Sequence, residues 1–232
     1  MTPRSSRPHL IVALDVDTLA EVEALLGRIG PEVLWFKVGK QLFTRHGPAA
    51  VRLLKDHGRK VFLDLKFHDI PNTVAQAVRS AAAIGADLTN VHAGGGPAML
   101  RAAAAAARES GVLLTAVTVL TSMDRAELAA VGLDVEPAGQ VLRLACLARD
   151  CGVPGVVCSP LEIGIIREAC GPDFVLVVPG IRPAGAGQDD QKRIMTPAQA
   201  AAAGASFVVV GRPITAAADP AAAARAVLAE LA

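Results

Sequence analysis

The chain has 232 residues, of which 52% are hydrophobic and 3% aromatic, and its 23 Lys and Arg nearly balance 22 Asp and Glu. That balance provides no broad positive field for a nucleic-acid backbone, and the apolar runs fall far short of the ~20 residues a membrane span needs, so neither partner is expected. Cys146, Cys151, Cys158 and Cys170 form no CxxC pair and have no matching His spacing, which argues against a zinc site or a secreted disulfide framework and for a reducing cytoplasm.

Taken in chain order, the opening MTPRSSRPH carries Arg but no apolar h-region. Residues 1–8 are therefore read as a frayed tail and 9–232 as one domain. Strand-length apolar runs then alternate with Ala- and Leu-rich stretches of helical spacing. The predicted strands are Leu10 to Asp15, Val33 to Val38, Val61 to Leu65, Asp87 to His92, Leu113 to Val119, Gly155 to Cys158, Phe174 to Val178 and Phe207 to Val210. Eight βα units, several with strands apolar on both faces, predict an α/β fold: a single (β/α)8 TIM barrel. An open doubly wound sheet is the alternative, but LDVDT stands where GxGxxG would be needed after the first strand. The alanine run between Arg101 and Arg108 reads as an outer helix, and Pro71, Pro97, Pro160 and Pro197 mark helix starts. The irregular stretch from Arg182 to Arg193 reads as a loop within the domain.

Active sites of such barrels lie at the C-terminal ends of the strands. VFLDLKFHDIPNT puts Asp64 and Lys66 two residues apart on the third strand, so strand alternation predicts that they share a face, with Asp69 opening the loop. Lys37 closes the second strand and Asp15 the first. Any one of these charges is most simply a solvated rim residue. Two lysines and three acids on three consecutive strands need mutual pairing, and such partly desolvated pairs are commonly catalytic. On the other side of the barrel, VVPGIRP and VVVGRPIT each place Gly before Arg, and a helix is expected near Thr215. Backbone N–H groups, Arg and a helix N-terminus together suit a phosphate. The Gly- and Ala-rich loop 184–192 suits a lid, with Gln191 as an amide that closure would bring to the ligand. Cys158 reads as a buried thiol, His92 as a structural histidine, His68 as a loop residue without an assigned role, and Trp35 as core packing.

On these residues the chain resembles the orotidine 5'-phosphate decarboxylases. DLKFHDIPNT (Asp64 to Thr73) matches that family's core motif throughout, supported by ALDVD (Ala13 to Asp17), FKVG (Phe36 to Gly39), VTVLTS (Val117 to Ser122), PGIRP (Pro179 to Pro183) and VVGRPIT (Val209 to Thr215). The resemblance implies decarboxylation of orotidine 5'-phosphate to uridine 5'-phosphate in de novo pyrimidine biosynthesis, with neither metal nor other cofactor. It makes Lys66 the acid that protonates C6, with Lys37, Asp64 and Asp69 completing a charged tetrad. Asp15 and Lys37 would hold the ribose, Thr121 the base, and Arg182, Gln191, Gly211 and Arg212 the phosphate. It further implies a homodimer in which the segment bearing Asp69, Ile70 and Thr73 enters the neighbouring subunit's site. The nearest rival is a magnesium-dependent sugar-phosphate decarboxylase or aldolase, which carries an acidic ligand where this chain has Lys37; a cation there repels Mg²⁺. A barrel that merely binds nucleotides would leave Lys66 between two acids unexplained.

Overall fold

The structure is a computed structural model that describes residues 7–183 and 195–232. Eight parallel strands close into a barrel in sequence order. They are β1 (His9–Leu14), β2 (Trp35–Gly39), β3 (Lys60–Phe67), β4 (Leu88–His92), β5 (Leu113–Val117), β6 (Gly155–Val157), β7 (Val175–Val178) and β8 (Phe207–Val210). Around them run α1 (Leu19–Ile29), α2 (Lys40–His46), α3 (Pro48–Asp56), α4 (Pro71–Ala83), α5 (Gly96–Ser110), α6 (Arg125–Ala130), α7 (Pro137–Asp150), α8 (Ile163–Cys170), α9 (Pro197–Ala203), α10 (Arg212–Thr215) and α11 (Pro220–Glu230). The expected (β/α)8 barrel is the observed fold. The tail expected over residues 1–8 lies, apart from Arg7 and Pro8, outside the described residues. No described helix is long and apolar enough to cross a membrane.

Alternation along the strands sorts their side chains into two apolar layers. Ile11, Trp35, Phe62, Leu88, Val177 and Phe207 point into the barrel and pack together, with the Trp35 and Phe207 rings edge to face at 5.2 Å. Their neighbours Val12, Phe36, Val61, Leu63, Leu114 and Val208 point outward into the helix-covered core. Trp35 is thus packing, as the sequence predicts. β6 can lie close to β7 because Gly155 has no side chain: a Cβ there would stand 2.3 Å from the Val175 carbonyl oxygen.

The helices begin where sequence chemistry places them. Thr18, Asp124 and Thr196 form capping boxes with Glu21, Glu127 and Gln199, each of which satisfies N–H groups that the helix leaves unpaired. Pro71, Pro97 and Pro197 sit in first turns, where a missing N–H costs little. Pro160 starts a 3-10 turn rather than an α-helix, and α8 follows three residues later. In the alanine run, Ala103, Ala104, Ala106 and Ala107 are buried, so their small size also serves packing. Predicted strand ends erred by one or two residues. The fifth, expected to reach Val119, stops at Val117, because its neighbour β6 has only three residues to pair with.

Arg167 on α8 ties the base of the barrel together. Its guanidinium donates to the carbonyls of Gly204, Gly171, Pro172 and Phe174 and to the Ser206 hydroxyl. Arg167→Met should destabilise the fold by about 3 kcal/mol, since several half-buried acceptors lose their donor together. Urea unfolding checks this, and a change under about 1 kcal/mol would show that water replaces the guanidinium.

Candidate active site

At the C-terminal end of the barrel the inward-facing apolar layer gives way to charge. Two residues beyond Ala13 stands Asp15, two beyond Trp35 Lys37, two beyond Phe62 Asp64, and two beyond Val209 Gly211. All four line one cavity of about 300 Å³, together with Lys66, Thr121, Cys158, Arg182 and Arg212. The apolar strand pattern thus forms the floor of the cavity and the strand ends supply its polar walls.

The charges on the first three strands form a continuous array. Lys37 Nζ donates to Asp15 Oδ1 at 3.1 Å and lies 3.8 Å from Asp64 Oδ2, while Lys66 Nζ lies 2.6 Å from Asp64 Oδ1. Asp64 is 9% exposed. Burial raises its pKa, but the Lys37 and Lys66 ammoniums and the hydrogen bonds from Lys66 and Asn90 outweigh it and hold the carboxyl below its ordinary value. Asp64 is therefore ionised at neutral pH and stands as the shared carboxylate between the two lysines.

Simple alternation does not account for the Asp64–Lys66 contact. Opposite β4, Leu63 pairs with Thr89 and the next register partner is Phe67 with Val91, so Asp64, Leu65 and Lys66 stand against Asn90 alone. Lys66 is the one non-glycine residue with positive φ (56°) among the described residues. That conformation costs on the order of 1–3 kcal/mol and collects at functional sites, where surrounding contacts impose it. Asn90 was not singled out by its sequence. It is fully buried, its Nδ2 donates to Asp64 Oδ1 at 2.7 Å, and its Oδ1 accepts the Lys66 N–H at 2.8 Å. An amide in the apolar strand run LTNVH, two residues past inward-facing Leu88, was the available signal.

Of the residues expected to hold a phosphate, the structure brings Arg182, Gly211 and Arg212 to one cavity, which Gly180 also lines. The two glycines differ in what requires them. Gly180 has φ 77°, so its backbone conformation already favours glycine. Gly211 has negative φ, and an added Cβ would meet ordinary contacts at 3.6 and 3.8 Å, so the protein's own packing does not require glycine there. Close approach by a ligand would. The helix expected near Thr215 instead begins at Arg212 and ends at Thr215. Four residues give little dipole, so any anion held here relies on the guanidinium groups and backbone N–H donors.

Asp69, Ile70 and Thr73 stand apart from the cavity wall. All three are exposed, Asp69 accepts the N–H of Ile70 at 2.6 Å, and Ile70 leaves 68% of its surface open. Gln191 lies outside the described residues. His92 stacks at 5.4 Å on His68, and burial together with the charges of His68, Lys40 and Lys66 lowers its pKa, so it is neutral at neutral pH. Cys158 is buried and faces the cavity, and all four cysteines are free thiols. Among the described residues no group of three or more His, Cys, Asp or Glu is gathered as a metal ligand set.

Fold and site together define a class: a (β/α)8 barrel whose mouth faces a lysine–carboxylate array with a two-arginine, glycine-bearing wall. Residues 8–227 match the model of the orotidine 5'-phosphate decarboxylase / HUMPS family, and the chain belongs to that family. It is 57% identical over 234 residues to an orotidine 5'-phosphate decarboxylase of Moorella thermoacetica, with 97% of this chain and 93% of that protein covered. A protein of the same name from Halorhodospira halophila is 56% identical, with 97% and 96% covered. The crystal structure of orotidine 5'-phosphate decarboxylase from Lactobacillus acidophilus superposes with a TM-score of 0.86 at 41% identity and covers 97% of this chain and 99% of its own.

Proposed function

We propose that the chain is a carboxy-lyase that converts orotidine 5'-phosphate to uridine 5'-phosphate and carbon dioxide, with Lys66 as the proton donor. The observation that carries this reading is the array Asp15–Lys37–Asp64–Lys66, closed by ion pairs and facing Gly211 and Arg212 across one cavity. The C6–carboxylate bond breaks, its electron pair remains on C6, and the Lys66 ammonium, held against Asp64, stabilises that pair and gives it a proton. Arg182 and Arg212 hold the 5'-phosphate, Asp15 and Lys37 the ribose hydroxyls, and Thr121 the base. Gln191 completes the phosphate grip. Binding energy gathered at the phosphate orients C6 against Lys66.

The reaction runs without a metal in this reading. Support comes from the donor chemistry: the Lys37 ammonium occupies the space between the carboxylates of Asp15 and Asp64, where a divalent cation would otherwise sit, and like charges repel. The reading extends to a cytoplasmic homodimer. Asp69, Ile70 and Thr73 are exposed beside the mouth, and the array carries no second carboxylate at its Lys66 end among the described residues. Asp69 of a second copy supplies that carboxylate, and Ile70 and Thr73 line the substrate from across the interface.

Orotidine 5'-phosphate mixed with the purified protein in excess chelator should show the ultraviolet absorbance change that accompanies loss of its C6 carboxylate at the same rate as without chelator, with uridine 5'-phosphate as the product. Loss of activity in chelator, restored by Mg²⁺, would move the assignment to a metal-dependent sugar-phosphate lyase.

A further inference from the structure

We propose that Asn90 is a positioning residue of this site: its side-chain amide fixes the Lys66 backbone and the Asp64 carboxylate in one geometry. The inference rests on the decarboxylase reading given above. Three observations carry it. The β3–β4 ladder breaks where three β3 residues face one residue of β4, so the N–H of Lys66 has no backbone acceptor on β4 in register. Asn90 Oδ1 takes that N–H at 2.8 Å, while its Nδ2 holds at 2.7 Å the same Asp64 oxygen that Lys66 Nζ approaches to 2.6 Å. Thr89, the residue before it, pins the start of the break by donating to the Leu63 carbonyl at 3.0 Å.

The chemistry leaves the amide one orientation. Its oxygen must meet the N–H and its nitrogen the carboxylate, because the reverse would set donor against donor and acceptor against acceptor. A fully buried side chain with both ends engaged has no other rotamer to visit. One residue therefore sets both the left-handed turn that aims the Lys66 side chain and the carboxylate that its ammonium meets. Asn90 lies outside the cavity wall and acts on the substrate only through its two partners.

Asn90→Ala, compared with the parent on orotidine 5'-phosphate, should lower kcat by about 10²-fold, the scale expected when a catalytic group is displaced by an ångström. KM and the affinity for uridine 5'-phosphate should be nearly unchanged. Asn90→Asp gives the sharper result. Protonated, the new acid keeps one donor and one acceptor; ionised, it only accepts and repels Asp64, which also raises its own pKa. Its activity relative to Asn90→Ala should therefore climb as pH is lowered below neutral. Equal losses in the two variants at every pH, or a folded Asn90→Ala protein with kcat within about threefold of the parent, would overturn the proposal. Should Asn90→Ala not fold, the pH profile of Asn90→Asp decides alone, with recovery in acid as support and a flat profile as refutation. A folded parent that leaves orotidine 5'-phosphate unchanged would refute the underlying decarboxylase reading and this proposal with it.

Discussion

Lys66→Ala should reduce kcat by about 10⁴-fold or more while uridine 5'-phosphate still binds. A positioned general acid contributes ~10²–10⁴, and a preorganised charge facing developing negative charge a further ~10²–10³. The two roles fall on one ammonium, so both are lost together. The groups proposed to bind the product, Arg182, Arg212, Thr121 and Asp15, line the cavity and are left in place by the substitution. The fold should tolerate the change well, because alanine removes an off-centre side chain and leaves the Lys66 N–H bond to Asn90 intact. Steady-state turnover and calorimetric titration with uridine 5'-phosphate check the two halves. Turnover within about tenfold of the parent would sink Lys66 as the proton donor.

The second large effect is one of complementation. Asp69→Ala alone should cost about 10²-fold or more in kcat, since it removes a carboxylate from a desolvated charge array. It should fold normally, because Asp69 is exposed and its carboxylate accepts only a local bond from the neighbouring Ile70 N–H among the described residues. When Asp69→Ala and Lys66→Ala chains are co-expressed with different tags, half of the random dimers are mixed. Each mixed dimer contains one site with both changes and one with neither. The purified pool should therefore recover about a quarter of the parental activity, although each variant alone is nearly inert. A pool no more active than its components would place Asp69 within its own subunit's chemistry, and the shared-site reading would fail.

Much of this was legible from residues alone, for identifiable reasons. The barrel follows from eight apolar runs whose two faces are both buried, a pattern that survives errors of a residue or two at strand ends. Asp15, Lys37 and Asp64 were legible because each continues the inward alternation of its strand by one step. Lys66 was placed correctly on a partly wrong premise: it meets Asp64 across an irregularity in β3, and no local pattern announces a positive φ at lysine. Asn90 was missed because its role arises only from the β3–β4 register, which depends on two segments 24 residues apart in hydrogen bonding. The glycine-arginine wall of the cavity was legible as two Gly-then-Arg strand ends, but the length of α10 was not, since Ala216 and its neighbours have ample helix propensity and it is the tertiary path that ends the helix there.

The dry layer of Trp35, Phe62, Leu88 and Phe207 beneath the charges has a kinetic consequence. Among the described residues it fills the barrel beneath the cavity, so what occupies the cavity enters and leaves at the C-terminal mouth. In the proposed reaction, a nucleotide filling that mouth would leave Lys66 to deliver one of its three ammonium protons to C6 with no water reaching it from below. The proton given up would then be replaced from bulk water only after the product departs. On that reading, the hydrogen that ends on C6 is one that Lys66 already carries when the substrate arrives.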